Sequence, residues 1–545
     1  MAAAGDPPGP VGLPAGRDSC NPPPTWLMPD GAQALLRTLV DAGVTVCFTN
    51  PGTSEIHFVS ALDSVPEMRA VLTLFEGVAT GAADGYARMA DAPAATLLHL
   101  GPGLGNGLAN LHNARRARVP VVNIVGDHAT YHAPYDSPLQ SDIETIARNV
   151  SVWVRTSRKT EELARDAVEA IIIATGPPGQ VATLIVPADV SWQDGAQAAA
   201  LPRPAAPPAV SGEIIEAAAK AMRGSSRTGI LLGGRALRER GLIAAARIAA
   251  ATGAKLFAER GAARLERGAG LPPVERLAYW PELASNQLAG LEHLILADAA
   301  APVAWFAYPG RESSLVSGGC EVHELSPPTS DVLASLDQLV EALDAADAQP
   351  ALQPGSIPPR PDGPLTAEKV CQAIGAILPE GAIISDEGIT SVAALPANTA
   401  GAPRHDWLML TGGAIGQGLP VAVGAAIACP DRPVIALEAD GSALYTIQSL
   451  WTMAHEQLDV TVVIFNNGAY GILDKELARI GAQEAGPKAK AQVDMRDPTL
   501  DFVQLGTGLG IASRRVDTAE HLTDVLAQAI ADSGPHLIEA VIPAA

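Results

Sequence analysis

The chain is best entered at Val434–Leu473, VIALEADGSALYTIQSLWTMAHEQLDVTVVIFNNGAYGIL. It opens on an apolar run of strand type, Val434 to Leu437, and then places Asp440, Gly441 and Ser442 in a turn. Leu444, Ile447, Trp451 and Ala454 recur at spacings of three and four, which predicts a helix. A second apolar run, Val460 to Phe465, ends in Asn466, Asn467 and Gly468. Strand, crossover helix, strand is a βαβ unit whose two strands lie side by side and parallel. The pattern therefore brings Asp440 and Asn467 to the carboxyl ends of adjacent strands, the edge at which open α/β sheets bind ligands.

An Asp and an Asn with nearby carbonyls offer only oxygen. Such a donor set suits Mg²⁺, which usually binds through few protein groups plus substrate phosphates. Gly441 lets backbone N–H groups approach a phosphate closely. Either pair alone is also an ordinary turn former. Both together, in their expected places across one βαβ unit, favour the ligand reading.

The bulk numbers narrow the function classes. At 545 residues, with 48% hydrophobic and 18% charged, the chain can build about three domains with sizeable cores. A net charge of −22 argues against nucleic acid or an anionic membrane as a main partner, since both need a basic surface. The cysteines Cys20, Cys47, Cys320, Cys371 and Cys429 are scattered and odd in number. They form neither a C-x-x-C motif nor a disulfide framework, which predicts a reducing cytoplasm. No run of about 18 apolar residues suggests a membrane span. Residues 1–26 are rich in Ala, Pro and Gly and read as a disordered tail without signal-peptide character.

Along the chain, strand and helix patterns alternate from residue 27 to 196, with strand candidates at Val44–Phe48, Ala70–Leu74, Ala95–Leu100, Val119–Val125 and Ala182–Val186. That alternation predicts a parallel sheet covered on both faces. The Pro/Ala-rich stretch Gln197–Gly212 reads as a linker. A second α/β block runs over 213–348, with strands at Thr228–Leu232, Leu294–Leu296 and Glu321–Leu325. A second Pro-rich linker, Gln349–Pro364, leads into the block 365–545 that carries the Asp440 motif. The fold class expected is α/β, with three doubly wound parallel-sheet domains.

The first block holds an acid and two histidine positions of interest. Glu76 sits where a strand gives way to a helix, among small and apolar residues. It either complements the helix dipole or, with burial disfavouring a carboxyl's charged form, donates to a ring nitrogen. His99 ends a strand just before Gly101-Pro102-Gly103-Leu104-Gly105, and is either a general acid–base or a hydrogen-bonded structural residue. The glycine run is no dinucleotide fingerprint, because Asn106 stands at its third glycine position; it reads as a tight turn with close backbone approach. His128, in Gly126-Asp127-His128, follows another strand and could shuttle protons with Asp127 or belong to a polar loop.

With these motifs in hand, the chain resembles the thiamine-diphosphate enzymes, whose signature is Gly-Asp-Gly followed one crossover later by Asn-Asn. Ala439 replaces the first glycine, and Asn467 stands 27 positions after Asp440. The resemblance implies a pyrimidine-binding, a middle and a diphosphate-binding domain. It implies thiamine diphosphate and Mg²⁺ as cofactors, the metal held by Asp440, Asn467 and the carbonyl of Ala469. It gives Glu76 the contact to the aminopyrimidine ring and places Ile415, in Gly412-Gly413-Ala414-Ile415-Gly416, beneath the folded cofactor, where it can also be core. Gly413 belongs to the same segment, and Gly388, Ile389, Thr390, Gly441, Ser442, Tyr470 and Gly471 are expected around the diphosphate. FAD, carried by some relatives, has no clear signature.

A narrower likeness to benzoylformate decarboxylase rests on Thr53, after Asn50-Pro51-Gly52, and on His99, 23 residues beyond Glu76. The overall look is that of an acetolactate-synthase-like large subunit, although Glu476 stands where acetolactate synthases carry a Trp, and Asp127 where they carry a Gln. The segment Ala258–Trp280 has no His to match the second active-site His of benzoylformate decarboxylase. Its arginines could clamp a carboxylate or form a solvated charged face. The function implied is decarboxylation of a 2-keto acid with carboligation. The alternatives are simple decarboxylation releasing an aldehyde, or a non-catalytic cofactor-binding paralogue. A homodimer or homotetramer with sites between subunits is expected, because one subunit's first domain faces another's third in this family.

Overall fold

The structure is a computed structural model that describes residues 29–202, 206–482 and 486–543. The expected tail 1–26 lies outside the described residues. Three sheets organise the rest. The first has the order β2-β1-β3-β4-β6-β5, built from β1 (Val46–Asn50), β2 (Arg69–Leu72), β3 (Ala94–Leu98), β4 (Val121–Asp127), β5 (Trp153–Thr156) and β6 (Val181–Pro187). All its pairings are parallel.

The middle stretch supplies β7 (Thr228–Leu232), β8 (Lys255–Ala258), β9 (Leu265–Arg267), β10 (Glu275–Arg276), β11 (His293–Ala297) and β12 (Glu321–Ser326). Five of these make the second sheet, β10-β8-β7-β11-β12, again parallel. The third sheet follows with β13 (Ile383–Glu387), β14 (His405–Met409), β15 (Val434–Ala439), β16 (Val460–Asn466), β17 (Ala512–Val516) and β18 (His536–Val541). Its order is β17-β18-β16-β15-β13-β14-β9. The middle stretch thus lends β9 to the third sheet, antiparallel to β14.

The sheets share their cores. Helix Gly418–Ala428 is apolar on every face (GLPVAVGAAIA) and almost wholly buried, as such a helix must be. It packs on helix Glu76–Ala90 through glycines. A Cβ on Gly85 would lie 2.2 Å from the Val421 carbonyl oxygen, and one on Gly424 would lie 1.9 Å from that of Ala82. One apolar cluster accordingly joins Leu98 and Leu111 of the first unit to Leu419 and Val434 of the third. Another joins Ile230 and Ile295 of the middle unit to Ile384 and Trp407.

Three expectations need correction. The helix over Leu444–Ala454 is broken: a single turn Asp440–Ala443 is followed by turns and then by helix Ser449–His455. The Thr446 hydroxyl donates to the Gly416 carbonyl at 3.0 Å, so tertiary contact overrides the helical spacing. The run Gly101–Gly105 is the start of helix Leu100–Ala117, and no tight turn. Finally, the arginines of Ala258–Trp280 do not form a solvated face. Arg264 pairs with Asp406, Arg267 and Arg276 lie over the Trp407 ring, and burial lowers Arg260 and Arg267 to about 10.

Candidate active site

β15 and β16 pair in parallel, with Ala439 opposite Phe465, so Asp440 and Asn467 leave adjacent strands together. Asp440 is buried, 2% exposed. Its Oδ1 accepts from the Gly441 N–H at 2.8 Å, and its Oδ2 from the N–H groups of Asn467 (3.0 Å) and Gly468 (2.7 Å). The Asn467 Oδ1 accepts from Ala469 N–H at 3.0 Å, and the Ala469 carbonyl accepts from Gly471 N–H at 2.9 Å. The two loops are thereby laced into one unit by backbone donors.

Neighbouring segments close around it. Gly441 lies under the Tyr470 ring, 2.4 Å from where a Cβ would stand, so no larger residue fits there. Ser442 is buried in the same turn. Gly388, Ile389 and Thr390 leave β13. Ile389 has φ +51°, a left-handed conformation that a β-branched residue adopts only when its surroundings impose it. The resulting bend carries the Thr390 hydroxyl to Gly471, 3.3 Å from its would-be Cβ, with the Asn467 amide nitrogen at 3.6 Å.

The loop with Gly413 and Ile415 is held by the first unit. Asn113 donates to the Ala414 carbonyl at 2.7 Å, Asn110 to the Gly416 carbonyl at 3.0 Å, and His112 Nε2 lies 3.1 Å from that of Gly412. Ile415 is half-buried and joins none of the apolar clusters. A bulky apolar side chain held out of the core is available to a ligand.

The residues present fit a hard cation and a diphosphate. Asp440 and Asn467 contribute side-chain oxygens at one strand edge, the chemistry Mg²⁺ takes. Burial raises the Asp440 carboxyl above its ordinary pKa, a desolvation cost that a bound cation offsets.

Behind this edge lies a feature that the motif reading missed. Glu387 ends β13 and stands opposite Glu438 on β15; both are buried. The Glu387 carboxyl accepts from Gly416 N–H (2.9 Å) and Gly418 N–H (2.8 Å). Burial pushes Glu387 up to about 7, and burial together with Glu387 pushes Glu438 well above the usual carboxylate range. Two such neighbours cannot both ionise. At neutral pH the pair retains a proton.

The first unit presents a second edge. Glu76 opens helix Glu76–Ala90 and is 8% exposed. Its Oε2 accepts from the Asn106 amide at 3.0 Å. The start of helix Leu100–Ala117 lies close against it, for a Cβ on Gly103 would stand 2.9 Å from its Oε1. Gly103 therefore lets this helix pack closely against the acid.

His99 precedes that helix. Its Nδ1 lies 2.8 Å from Oε2 of Glu55, a buried carboxylate that also accepts from Gly52 N–H at 2.8 Å. A carboxylate accepts here, so Nδ1 carries the proton and Nε2 has no hydrogen-bond partner among the described residues. Glu55 was not singled out from the sequence, since its partner lies 44 residues away. Thr53 is exposed. Its neighbour Ser54 is the hydroxyl near His99, with Oγ 3.5 Å from Nδ1. His128 lies beyond β4, its Nε2 2.9 Å from the Ser137 hydroxyl and its ring edge-on to His132. Asp127 accepts from the His128 backbone N–H and makes no side-chain pair with that imidazole.

The middle unit reaches the third through aromatic residues. The Trp305 ring lies 2.7 Å from the would-be Cβ of Gly413. The Tyr308 hydroxyl donates to Glu476 at 2.8 Å, and the Arg479 guanidinium covers both Trp280 and Tyr308.

Comparison with known proteins agrees with this geometry. Residues 29–148 match "Thiamine pyrophosphate enzyme, N-terminal TPP binding domain" and residues 388–540 match the corresponding "C-terminal TPP binding domain". The chain belongs to the thiamine pyrophosphate enzyme family. It is 57% identical over 518 residues to the Mycobacterium tuberculosis protein named "Putative acetolactate synthase large subunit IlvX", covering 94% of this chain and 99% of that one. It is 29% identical over 531 residues to benzoylformate decarboxylase of Pseudomonas aeruginosa, covering 91% and 96%. The solved thiamine diphosphate-dependent 4-hydroxybenzoylformate decarboxylase of Rhodococcus jostii RHA1 superposes with a TM-score of 0.81 at 25% identity, covering 94% and 99%. The two matched domains and the 57% identity place it among the thiamine-diphosphate-dependent decarboxylases and carboligases. No helix among the described residues is long and apolar enough to cross a membrane.

Proposed function

We propose that this enzyme decarboxylates a 2-keto acid with a bulky or aromatic side chain and releases an aldehyde. The observation that carries this reading is the Glu55–His99 pair: a buried carboxylate fixes one imidazole nitrogen and leaves the other to return a proton to product. Thiamine diphosphate, when bound, supplies the electron sink that lets CO₂ leave. Asp440 and Asn467, with the Ala469 carbonyl, would hold Mg²⁺ against the diphosphate. Gly388, Ile389, Thr390, Gly441, Ser442, Tyr470 and Gly471 would enclose the diphosphate, and Gly413 and Ile415 would support the ring system. Glu76, held by Asn106, would protonate the aminopyrimidine. Trp305 and Tyr308 would border the substrate side chain.

Carboligation is the second reading, supported by the 57% identity to a protein named as an acetolactate synthase subunit. Against it stands the carboxylate of Glu476, bound to Tyr308, where an indole would be needed.

A homodimer fits the exposed apolar side chains. Ile56, Leu74, Tyr131 and Tyr135 are exposed after β1, β2 and β4, and Tyr445, Leu473 and Ile480 on the third unit. Apolar surfaces of this kind mark contact sites. A second copy would cover them and set one chain's Glu76 across from another's Asp440.

The test supplies thiamine diphosphate and Mg²⁺ and offers benzoylformate and pyruvate separately, following CO₂ and product. Benzaldehyde in step with CO₂ is expected. Acetolactate from pyruvate would establish carboligation instead, and bound cofactor without CO₂ from a wide 2-keto acid panel would indicate a non-catalytic paralogue.

A further inference from the structure

The middle sheet carries a cluster that the cofactor chemistry does not use. β11 and β12 are parallel neighbours, with His293 opposite Glu321 and Ile295 opposite His323. Strand residues two apart share a face, so Glu321 and His323 point the same way, toward His293. The His293 Nδ1 lies 3.0 Å from the His323 Nε2 and 3.7 Å from the Glu321 Oε2. The third side of the triangle, from Glu321 Oε2 to His323 Nε2, is 3.8 Å. These three potential ligand atoms form a group able to hold a metal ion.

We propose that His293, Glu321 and His323 bind a divalent transition-metal ion of zinc type, at a site separate from the Mg²⁺ position. Ligand atoms about 2.0–2.1 Å from a tetrahedral Zn²⁺ stand about 3.3 Å apart, and the observed separations of 3.0, 3.7 and 3.8 Å bracket that value. Two imidazoles and one carboxylate select Zn²⁺, Co²⁺ or Ni²⁺ over Mg²⁺, which prefers oxygen alone. Three protein ligands leave a fourth position for water. Glu321 is 68% exposed while the two imidazoles are 21% and 17% exposed, so an ion can enter without unfolding the sheet. Glu292, beside His293, is engaged by Ser225 and Arg227 and does not compete for the position. β12 is the edge strand of its sheet. A metal across β11 and β12 clips that edge to the sheet, and an ion that binds only the folded chain stabilises it by mass action.

The test uses the full chain saturated with thiamine diphosphate and Mg²⁺, so that the Asp440 site is filled, and free of any histidine tag. Wild type, H293Q, H323Q and E321Q are dialysed against Zn²⁺ and, separately, Co²⁺, and bound ions are counted per chain. Wild type is expected to hold one ion more than H293Q or H323Q. It should show the visible absorption of four-coordinate Co²⁺ and a higher unfolding midpoint with Zn²⁺. E321Q should bind about 10-fold more weakly or worse. Variants are compared only where their unfolding midpoint without Zn²⁺ matches wild type, and E321Q, at an exposed position, secures that comparison. Equal Zn²⁺ binding by wild type and all three variants, or none by wild type at a 10-fold excess over chains, overturns the proposal.

Discussion

The carboxyl edges of the first and third sheets present two kinds of site. At the third edge, Asp440 is bound by backbone N–H groups of its own loop and the adjacent one, and its neighbours are oxygens and glycines. At the first edge, side chains hold side chains: Glu55 holds His99, and Asn106 holds Glu76. The third edge is built to position charge, and the first to place protons. Damage to the one should remove cofactor binding, whereas damage to the other should leave the cofactor bound and slow the chemistry.

Asp440→Ala should have the largest effect. Loss of the carboxylate would remove a ligand of the cation that would anchor the diphosphate. Retention of thiamine diphosphate through gel filtration should vanish together with turnover. Glu76→Gln should come next, keeping cofactor retention while turnover falls by roughly 10²–10⁴-fold, the range of acid–base contributions. Lost retention in that variant would erase the contrast between the edges. Glu55→Gln should lower kcat by about 10–100-fold with little change in KM, because it leaves His99 in place but without its fixed tautomer. An unchanged pH–rate profile would contradict the pairing.

The buried pair behind the third edge sharpens the contrast through pH. Folding raises Glu387 to about 7 and raises Glu438 well above its ordinary 4.5. The native state therefore keeps protons that the unfolded chain releases above about pH 4.5. Stability falls as pH rises from there through about 7, then levels off for Glu387. Glu438→Gln keeps the shape, stays neutral and can donate to Glu387. It should flatten that decline and raise stability at pH 8 by on the order of 1–3 kcal/mol, measured by urea unfolding between pH 5 and 8. The smallest effects belong to the hydroxyls. Ser54→Ala should change kcat by a fewfold, and Thr53→Val, at an exposed position, by less; the reverse order would move the functional hydroxyl to Thr53.

The two edges also differed in how far the sequence exposed them. Asp440 and Asn467 were legible because a strand, a crossover and a second strand carry their own geometry, and because their partners are backbone groups within two residues or one crossover. Ile389 was placed correctly by its strand, but its left-handed backbone leaves no compositional trace. Glu55 was not legible, since its role exists only once β1 and β3 lie side by side and bring residues 55 and 99 together. Glu387 and Glu438 were hidden for the same reason: a Glu in an apolar run gives no sign of the register that pairs it. The arginines near Trp407 misled in the opposite sense. A run of charge looks solvated until β9 is seen to join another sheet.

The central claim is that His99, held by Glu55, returns a proton to a product already stripped of CO₂. Single-turnover measurement on His99→Ala, with thiamine diphosphate, Mg²⁺ and an aromatic 2-keto acid turned over by wild type, tests it most directly by timing CO₂ and aldehyde separately. The account predicts CO₂ release within a fewfold of wild type and aldehyde release slowed by about 100-fold or more. Equal slowing of both, or of neither, would contradict it.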